Sequence, residues 1–192
     1  MIDSHGARGG SGDSNESPYA IALARPADLA LIPAIELAAA RLLVGHAPES
    51  VLAEATSEGD LDRLRREGHL WVATANARPV GFAYVEVFEP RIAHLDEIDV
   101  HPDHGRRGLG RRLVMAVCDW AETVGFEAVT LCTFRDVPWN MPFYKKLGFD
   151  VVPDDMFSPA IASVVTDEAR RGLDISRRVV MRRTLTGPRS AV

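Results

Sequence analysis

The sequence HLDEIDVHPDHGRRGLGRRL, residues 94–113, predicts a strand that runs into a glycine-rich turn and then into a helix. The strand residues end at Val100, His101-Pro102-Asp103 interrupts them, and Gly108-Leu109-Gly110 leads into a helical pattern of apolar residues. Backbone N–H groups at a helix N-terminus have no partner within the helix, and the helix dipole favours negative charge there. The turn is flanked by Arg106, Arg107, Arg111 and Arg112. The stretch therefore predicts a phosphate- or pyrophosphate-binding site.

Two other glycine-rich phosphate loops do not fit this turn. A P-loop needs Gly-x-x-x-x-Gly-Lys-Ser/Thr, and the turn has no Lys-Ser/Thr pair. The dinucleotide fingerprint Gly-x-Gly-x-x-Gly would start at Gly108 and Gly110, but Leu113 occupies the position of its third glycine. The glycines alone therefore do not identify the ligand.

Composition is that of one globular domain. The 192 residues are 46% hydrophobic and 26% charged, and the formal net charge of −5 argues against a nucleic-acid partner. Two cysteines make a disulfide framework improbable. No apolar run reaches the roughly 20 residues that span a membrane, and the N-terminus lacks the apolar core of a signal peptide. We expect a cytoplasmic protein with no membrane contact.

The pattern of apolar and turn residues predicts a mixed α/β fold. Residues 1–18 and 187–192 are expected to be disordered tails around a single domain, residues 19–186. Strands are predicted at 19–24, 70–75, 80–88, 91–100, 128–134, 149–152 and 176–185. Helices are predicted at 29–43 with Asp28 as N-cap, 49–56, 61–67, 109–124, 140–146 and 158–171.

The order of these elements predicts a sheet of six or seven strands. Its N-terminal part should be antiparallel, and its centre parallel, because a helix connects the strands at 91–100 and 128–134. Helices should cover both faces. The arginine-rich last strand is compatible with an edge position. That strand and the segment 157–171 are the candidate surfaces for a homodimer.

Two motifs together resemble those of the Gcn5-related N-acetyltransferase (GNAT) superfamily. Val100-His101-Pro102, followed by residues 105–110 (GRRGLG), resembles its acyl-CoA-binding motif. About 30 residues later, residues 143–149 (FYKKLGF) resemble its "YxxxGF" motif. The order, the spacing and the intervening helix and strand agree from about residue 19 to residue 185. The resemblance implies a GNAT-like fold and acetyl-CoA as acetyl donor.

The resemblance also implies a role for the donor-binding residues. The backbone of Ile98, Asp99 and Val100 would pair with the pantetheine arm, and the pyrophosphate would bind the backbone of Gly105, Arg106, Arg107, Gly108, Leu109, Gly110 and Arg111. The chain departs from the family twice. Gly105 stands where the family usually has Gln or Arg, and Arg106 stands where it has glycine. Val137 occupies a position at which many members have Asn, and Asn140 is a candidate for a related role near the cofactor.

Catalysis in the superfamily is direct attack of a primary amine on the thioester in a ternary complex. Tyr144 matches the general acid by motif position, the alternative being a core tyrosine. Asp96, Glu97 and Asp99 are the candidates for the base. Strand parity sends Glu97 and Asp99 to one face and Asp96 to the other, unless a bulge intervenes. We choose Glu97 as the base. The alternative is that this carboxylate is only exposed to solvent or binds the substrate.

Other reactive residue types do not form a convincing site. His94, His101 and His104 lack metal-ligand spacing, so no metal is expected. Trp139 and Phe134 could line the acceptor side or fill the core, and we favour the core.

The sequence therefore predicts an acetyl-CoA-dependent N-acetyltransferase. The negative charge of Asp96, Glu97 and Asp99, near the expected binding cleft, favours a small cationic amine as the acceptor substrate. Two alternatives remain: a protein or peptide amine as acceptor, or a non-catalytic acyl-CoA sensor. The segments that would shape the acceptor site carry no recognisable motif.

Overall fold

The computed structural model describes residues 17–186, so the predicted tails lie outside it except for Ser17 and Pro18. The strands are β1 Tyr19–Leu23, β2 Leu70–Ala75, β3 Arg78–Glu89, β4 Ile92–Val100, β5 Ala128–Phe134, β6 Asp150–Val151 and β7 Arg178–Thr184. The helices are α1 Ile32–Ala40, α2 Glu49–Leu52, α3 Glu58–Glu67, α4 Leu109–Val124, α5 Met141–Lys146 and α6 Pro159–Arg170. No helix within residues 17–186 is both long and apolar enough to cross a membrane.

The seven strands form one mixed sheet in the order β1-β2-β3-β4-β5-β7-β6. The β4–β5 pair is parallel and the others are antiparallel, which confirms the predicted sheet. The hairpin between β2 and β3 turns on Asn76 and Ala77, whose φ angles of 48° and 63° are both positive. Two positive φ angles in a two-residue turn match the twist of the flanking strands.

Helices cover both faces of the sheet, as predicted. On one face, α4 contributes Leu113 and Val117 to a core that includes Ala83 and Val85 of β3. On the other face, Phe82 of β3 packs in a second core. Its other large members come from β2, α1, α3 and the turn before α1: Leu29, Ile32, Leu61, Leu64 and Leu70. Because successive residues of β3 alternate between the two cores, the strand is buried on both faces.

The predicted cap of the first helix is wrong. Asp28 lies within a 3-10 turn, Pro26–Leu31, and α1 begins only at Ile32. The Asp28 carboxylate accepts hydrogen bonds from the backbone N–H of Arg25, at 2.8 Å, and from its guanidinium. The carboxylate therefore fixes the chain entering the turn and does not begin the α-helix.

The last strand is not at an edge. β7 lies between β5, which it pairs along its whole length, and the two-residue strand β6. Val179, Val180 and Met181 are buried, which suits an interior position. The short β6 pairs with Met181 and Arg182 on the far side of β7, so the middle of this strand is not free to pair with a second copy of the chain.

Candidate functional site

The parallel pairing of β4 with β5 stops halfway along β4. The strands pair at Ile92–Ala128, Ala93–Val129 and His94–Thr130, and no further pair follows among the described residues. From Leu95 onward, β4 is paired only with β3. A parallel ladder that ends in this way leaves strand N–H and C=O groups open along one side.

A cavity of about 900 Å³ lies at this split. Its floor is formed by β4 from His94 to Val100 and β5 from Leu131 to Phe134. One end is lined by Gly110, Asn140, Phe143 and Tyr144, and the other by residues of α1, α2, α3 and α6. The lining therefore includes six of the predicted site residues besides Tyr144: Glu97, Ile98, Asp99, Val100, Gly110 and Asn140.

A β-bulge lies in the part of β4 that lines the cavity. Tyr84 of β3 is opposite Glu97, whereas Val85 is opposite Leu95, so Asp96 is an extra residue between the two pairs. A bulge breaks the alternation of side chains along a strand, so strand parity does not separate Asp96 from Glu97. All β4 residues from His94 to Val100 line the cavity, and Asp96, Glu97 and Asp99 are the carboxylates among them.

These three carboxyl groups lie where ionisation is disfavoured. Burial, with Glu36 and Asp96 nearby, raises the pKa of Glu97 to about 7. Burial and the negative charge of Glu97 raise the pKa of Asp99 well above its usual range. Burial also raises the pKa of Asp96. A carboxyl with a pKa near 7 can both accept and release a proton at neutral pH, which suits a general base.

No arginine or lysine forms an ion pair with these three groups within the described chain. A Glu97 carboxylate oxygen accepts a hydrogen bond from the backbone N–H of Ile98 at 3.2 Å. Asp96 lies 4.0 Å from Nε2 of His94. Burial lowers the pKa of His94 to about 4, so the ring is neutral at pH 7. No basic side chain of the described residues therefore neutralises the carboxyl cluster.

Tyr144 lies on α5, at the same cavity. Its side chain is 9% exposed and packs edge-on against Phe143 and Phe149, with ring centroids 5.0 and 5.9 Å away. Burial raises the pKa of its phenol, and the charges of Glu97 and Asp99 raise it further. The phenol therefore stays protonated at neutral pH and can donate to a group in the cavity.

The glycine-rich turn has the predicted helix N-terminus. Gly108, with φ of 77°, precedes the first residue of α4. The amides of Leu109, Gly110 and Arg111 lie in the first turn, where a helix provides no acceptor. The Leu109 side chain is buried in the core, so only its backbone is available to a ligand. Three neighbouring N–H groups and the helix dipole form a site suited to an anion.

The first departure from the family motif, at Gly105 and Arg106, has a backbone counterpart. Gly105 has an ordinary φ of −62°, and a Cβ there would lie 3.1 Å from the carbonyl oxygen of Pro102. Arg106 has φ of 55°, in the left-handed region that favours glycine. The left-handed position is thus the one at which the family's glycine was expected, and arginine occupies it at a conformational cost.

Several predicted donor-binding residues lie outside the cavity. Residues 105–108 of the turn, and Leu109 and Arg111 at the start of α4, do not line the cavity. The Arg107 guanidinium lies 5.8 Å from the ring centre of Tyr19. Arg112 donates to the Tyr19 carbonyl oxygen at 3.2 Å and so ties α4 to β1.

The segment before α5 differs in part from expectation. Phe134 is buried, as favoured, but Trp139 is 52% exposed and lines the cavity, so its assignment to the core is wrong. Trp139 lies in the turn that ends β5, where its ring meets His46 edge-on at 6.3 Å. Asn140 precedes α5, yet its side chain makes no capping hydrogen bond and lines the cavity.

Sequence reasoning singled out no residue of the helices that line the other end of the cavity. Glu36 of α1 accepts hydrogen bonds from the backbone N–H and the hydroxyl of Thr56, at 2.8 and 3.1 Å. Glu168 of α6 pairs with Arg178 of β7, with side-chain exposures of 11% and 13%. Glu36 is the one charge in the helix sequence IPAIELAAA, which is the signal that could have indicated it. The Glu168–Arg178 pair joins elements whose proximity no local pattern indicates.

Comparisons with known proteins agree with this geometry. The PaiA N-acetyltransferase from Thermoplasma acidophilum, whose crystal structure contains coenzyme A, superposes with a TM-score of 0.68 at 16% identity. The superposition covers 86% of this chain and 98% of that one. At this level of identity the likeness shows the fold alone.

Two curated relatives share part of the sequence. An uncharacterised N-acetyltransferase of Methanocaldococcus jannaschii is 33% identical over 92 residues, which are 45% of this chain and 41% of the relative. The glucosamine 6-phosphate N-acetyltransferase of Trypanosoma brucei brucei is 33% identical over 58 residues, 30% of this chain and 37% of that protein. The match therefore spans well under half of either relative.

A family-wide comparison covers more of the chain. The sequence model of the Acetyltransferase (GNAT) family matches residues 37–149. This range holds the bulged strand, the glycine-rich turn and Tyr144, and it is more than half of the chain. The chain therefore belongs to the GNAT family of acetyltransferases.

Proposed function

We propose that residues 19–186 form one N-acetyltransferase domain that moves an acetyl group from acetyl-CoA to a primary amine of a small cationic molecule. The observation that carries the proposal is the bulged β4. It brings Asp96, Glu97 and Asp99 to one cavity with the protonated phenol of Tyr144, beside a strand edge that an extended ligand can pair with.

The donor would bind across the split. The open backbone of Ile98, Asp99 and Val100 suits the amides of a pantetheine arm, which needs strand-like partners. The amides of the turn, from Gly105 to Arg111, suit the pyrophosphate. Gly110 and Asn140 line the passage between the two. Acetyl-CoA supplies the acetyl group as a thioester.

The two catalytic residues would handle the protons. Glu97, directly or through a water molecule, removes a proton from the acceptor ammonium. The amine nitrogen then forms a bond to the carbonyl carbon as the carbon–sulfur bond breaks, and it gives up its second proton to solvent water as the amide forms. Tyr144 donates a proton or hydrogen bond to the departing sulfur. Direct transfer in a ternary complex needs no protein nucleophile. Cys132 lines the cavity, but burial raises the pKa of its thiol to about 12.

A thiol-release screen of diverse amines with acetyl-CoA tests this proposal. We expect turnover with cationic small amines and little with peptides that present only an N-terminus. If peptides were turned over faster than small amines, the acceptor would instead be a protein or peptide amine. Binding of acetyl-CoA without thiol release from any amine would leave a non-catalytic acyl-CoA sensor.

Replacing Tyr144 by phenylalanine tests its role as the general acid. Tyr144→Phe keeps the ring contacts with Phe143 and Phe149 and removes only the hydroxyl. We expect kcat to fall about 100-fold, since a positioned acid contributes roughly that factor, while the KM for acetyl-CoA changes little. The melting temperature reports whether the fold is intact. An unchanged kcat would remove Tyr144 from the mechanism.

A further inference from the structure

We propose that the acceptor is an amine with an apolar body and with no carboxylate or phosphate group. This inference rests on the proposed N-acetyltransferase function and specifies its substrate class. Two observations at the acceptor end of the cavity support it. The arginines there are already paired with carboxylates, and large apolar side chains there remain exposed.

Every arginine that lines the cavity is already paired with a carboxylate. Arg63 of α3 contacts Glu86 at 2.5 Å and Glu67 at 3.1 Å. Arg171 contacts Glu54 at 2.6 Å. The third lining arginine, Arg178, holds Glu168 through two guanidinium nitrogens. Among the described lining residues, no guanidinium or ammonium group lacks a carboxylate partner that an anionic part of an acceptor would have to compete with.

Four carboxyl groups of the lining are in the opposite situation. Asp96, Glu97 and Asp99 form no ion pair with an arginine or lysine of the described chain. Glu36 is held by the neutral Thr56 and is the fourth carboxyl group without a basic partner. An acceptor carboxylate or phosphate next to its amine would enter this field without a counter-charge. Leaving a charge unpaired in a desolvated site is strongly unfavourable.

Large apolar side chains line the same cavity and remain half-exposed. Leu42, just after α1, is 51% exposed, Phe88 at the end of β3 is 48% exposed, and Trp139 is 52% exposed. Apolar surface that lines a cavity gains free energy when a ligand covers it. These side chains therefore favour an aliphatic or aromatic body on the amine.

The trypanosome relative illustrates the contrast. Its name gives a phosphorylated amino sugar as its substrate. A phosphate on the acceptor would require a free cation, and the lining arginines of this chain are occupied. We therefore expect this chain to differ from that relative in its acceptor.

Matched pairs of amines test the inference. Phenethylamine and phenylalanine differ by one carboxylate, and glucosamine and glucosamine 6-phosphate differ by one phosphate. We expect kcat/KM to be about 100-fold higher for phenethylamine than for phenylalanine, the scale of an unpaired desolvated charge, and phenethylamine to exceed glucosamine. Equal values for phenethylamine and phenylalanine would overturn this inference and leave the proposed function intact. If no amine of either pair, nor any in the wider screen, were acetylated, the proposed function itself would fail.

A variant that frees one cation tests the cause. Glu54→Gln releases Arg171, whose pair with Glu54 is exposed enough to remove without unfolding the domain. We expect the preference for phenethylamine over phenylalanine to narrow about tenfold, the scale of one charge-assisted hydrogen bond. The matched control is Glu49→Gln, which changes an exposed residue of α2 outside the cavity lining. The preference for phenethylamine over phenylalanine should be unchanged in this variant. An unaltered preference in Glu54→Gln would show that paired cations do not set the specificity.

Discussion

At the scale of single residues, Glu97 links pH to both activity and stability. Its pKa near 7 means that the group is mostly protonated below neutral pH. A general base works only when ionised, so kcat/KM should rise with pH up to about 7 and level off above it. A pH profile of thiol release measures this dependence.

The variant Glu97→Gln should remove this dependence and lower kcat by about 100-fold or more. Asp96→Asn and Asp99→Asn are the matched controls, because they remove one negative charge from the same cluster. If Glu97 is the base, the inflection near pH 7 disappears only in Glu97→Gln. If the inflection disappeared only in Asp96→Asn or only in Asp99→Asn, that residue would be the general base.

The same residue should limit stability at high pH. A carboxyl whose pKa rises on folding stabilises the protein while it is protonated in the folded state. That contribution is present below its unfolded pKa of about 4.3 and is lost as the pH rises through about 7. Glu97→Gln should therefore raise the melting temperature more at pH 8 than at pH 5. An equal change at both values would contradict the raised pKa.

Arg106 holds a strained backbone conformation in the turn. A non-glycine residue in the left-handed region costs about 1 kcal/mol, and glycine avoids this cost. We expect Arg106→Gly to raise the free energy of unfolding by about 0.5 kcal/mol in denaturant titrations, and Arg107→Gly, where φ is not positive, to lower it or leave it unchanged. A stability loss in Arg106→Gly would mean that its side chain contributes more than the strain costs.

At the scale of elements, one ion pair fastens α6 to β7 behind the cavity. Glu168 and Arg178 are both largely buried, and the Arg178 guanidinium lies 4.6 Å from the ring centre of Phe134. Glu168→Gln would leave the arginine charge without its partner. We expect a loss of about 3 kcal/mol, or roughly 6–12 °C in melting temperature.

The neighbouring residue provides the control for this experiment. Asp167 pairs with Arg170 at 2.8 Å, but both side chains are more than half exposed. Exposed pairs contribute little to stability, so Asp167→Asn should hardly change the melting temperature. A similar loss in both variants would indicate damage to α6 itself and not the loss of a buried pair.

Local patterns predicted most of these elements, and long-range pairing explains the failures. The strand at 128–134 has its predicted bounds, because its apolar residues are buried by neighbours on both sides. The position of β7 between β5 and β6 depends on where a two-residue strand docks, which no periodicity encodes. Aspartate is a residue type typical of N-caps, but the Asp28 carboxylate bonds to Arg25 instead. The chain therefore forms a 3-10 turn before the α-helix begins.

The candidate site divides in the same way. Tyr144 and the turn follow short motifs, so the sequence was sufficient to locate both along the chain, and Tyr144 and Gly110 line the cavity. The acceptor end arises where α1, α3 and α6 meet, through residues far apart in the chain. Trp139 shows the limit, because a tryptophan in an apolar stretch suggests burial, while the fold leaves it facing the cavity.

At the scale of the whole molecule, the donor should stabilise the fold. A ligand at 100 times its Kd adds about 2.7 kcal/mol to the free energy of unfolding, which for this size of domain is roughly 5–10 °C. Acetyl-CoA should produce this shift in a thermal melt. Pantetheine lacks the pyrophosphate and should produce a smaller one, and equal shifts from both would mean that the turn does not bind the pyrophosphate.

The interruption between β4 and β5 also bears on aggregation. An unpaired strand edge is normally a template on which another polypeptide can add, and the outer edges of this sheet are short strands, β1 and β6. The longer stretch, from Leu95 to Val100 of β4, is unpaired only on the side that faces β5. It lies in the middle of the sheet and lines a cavity flanked by helices. A thin flexible chain can reach it, whereas a second β-sheet cannot. The fold thus keeps an open hydrogen-bonding edge for its ligand without exposing that edge to misassembly.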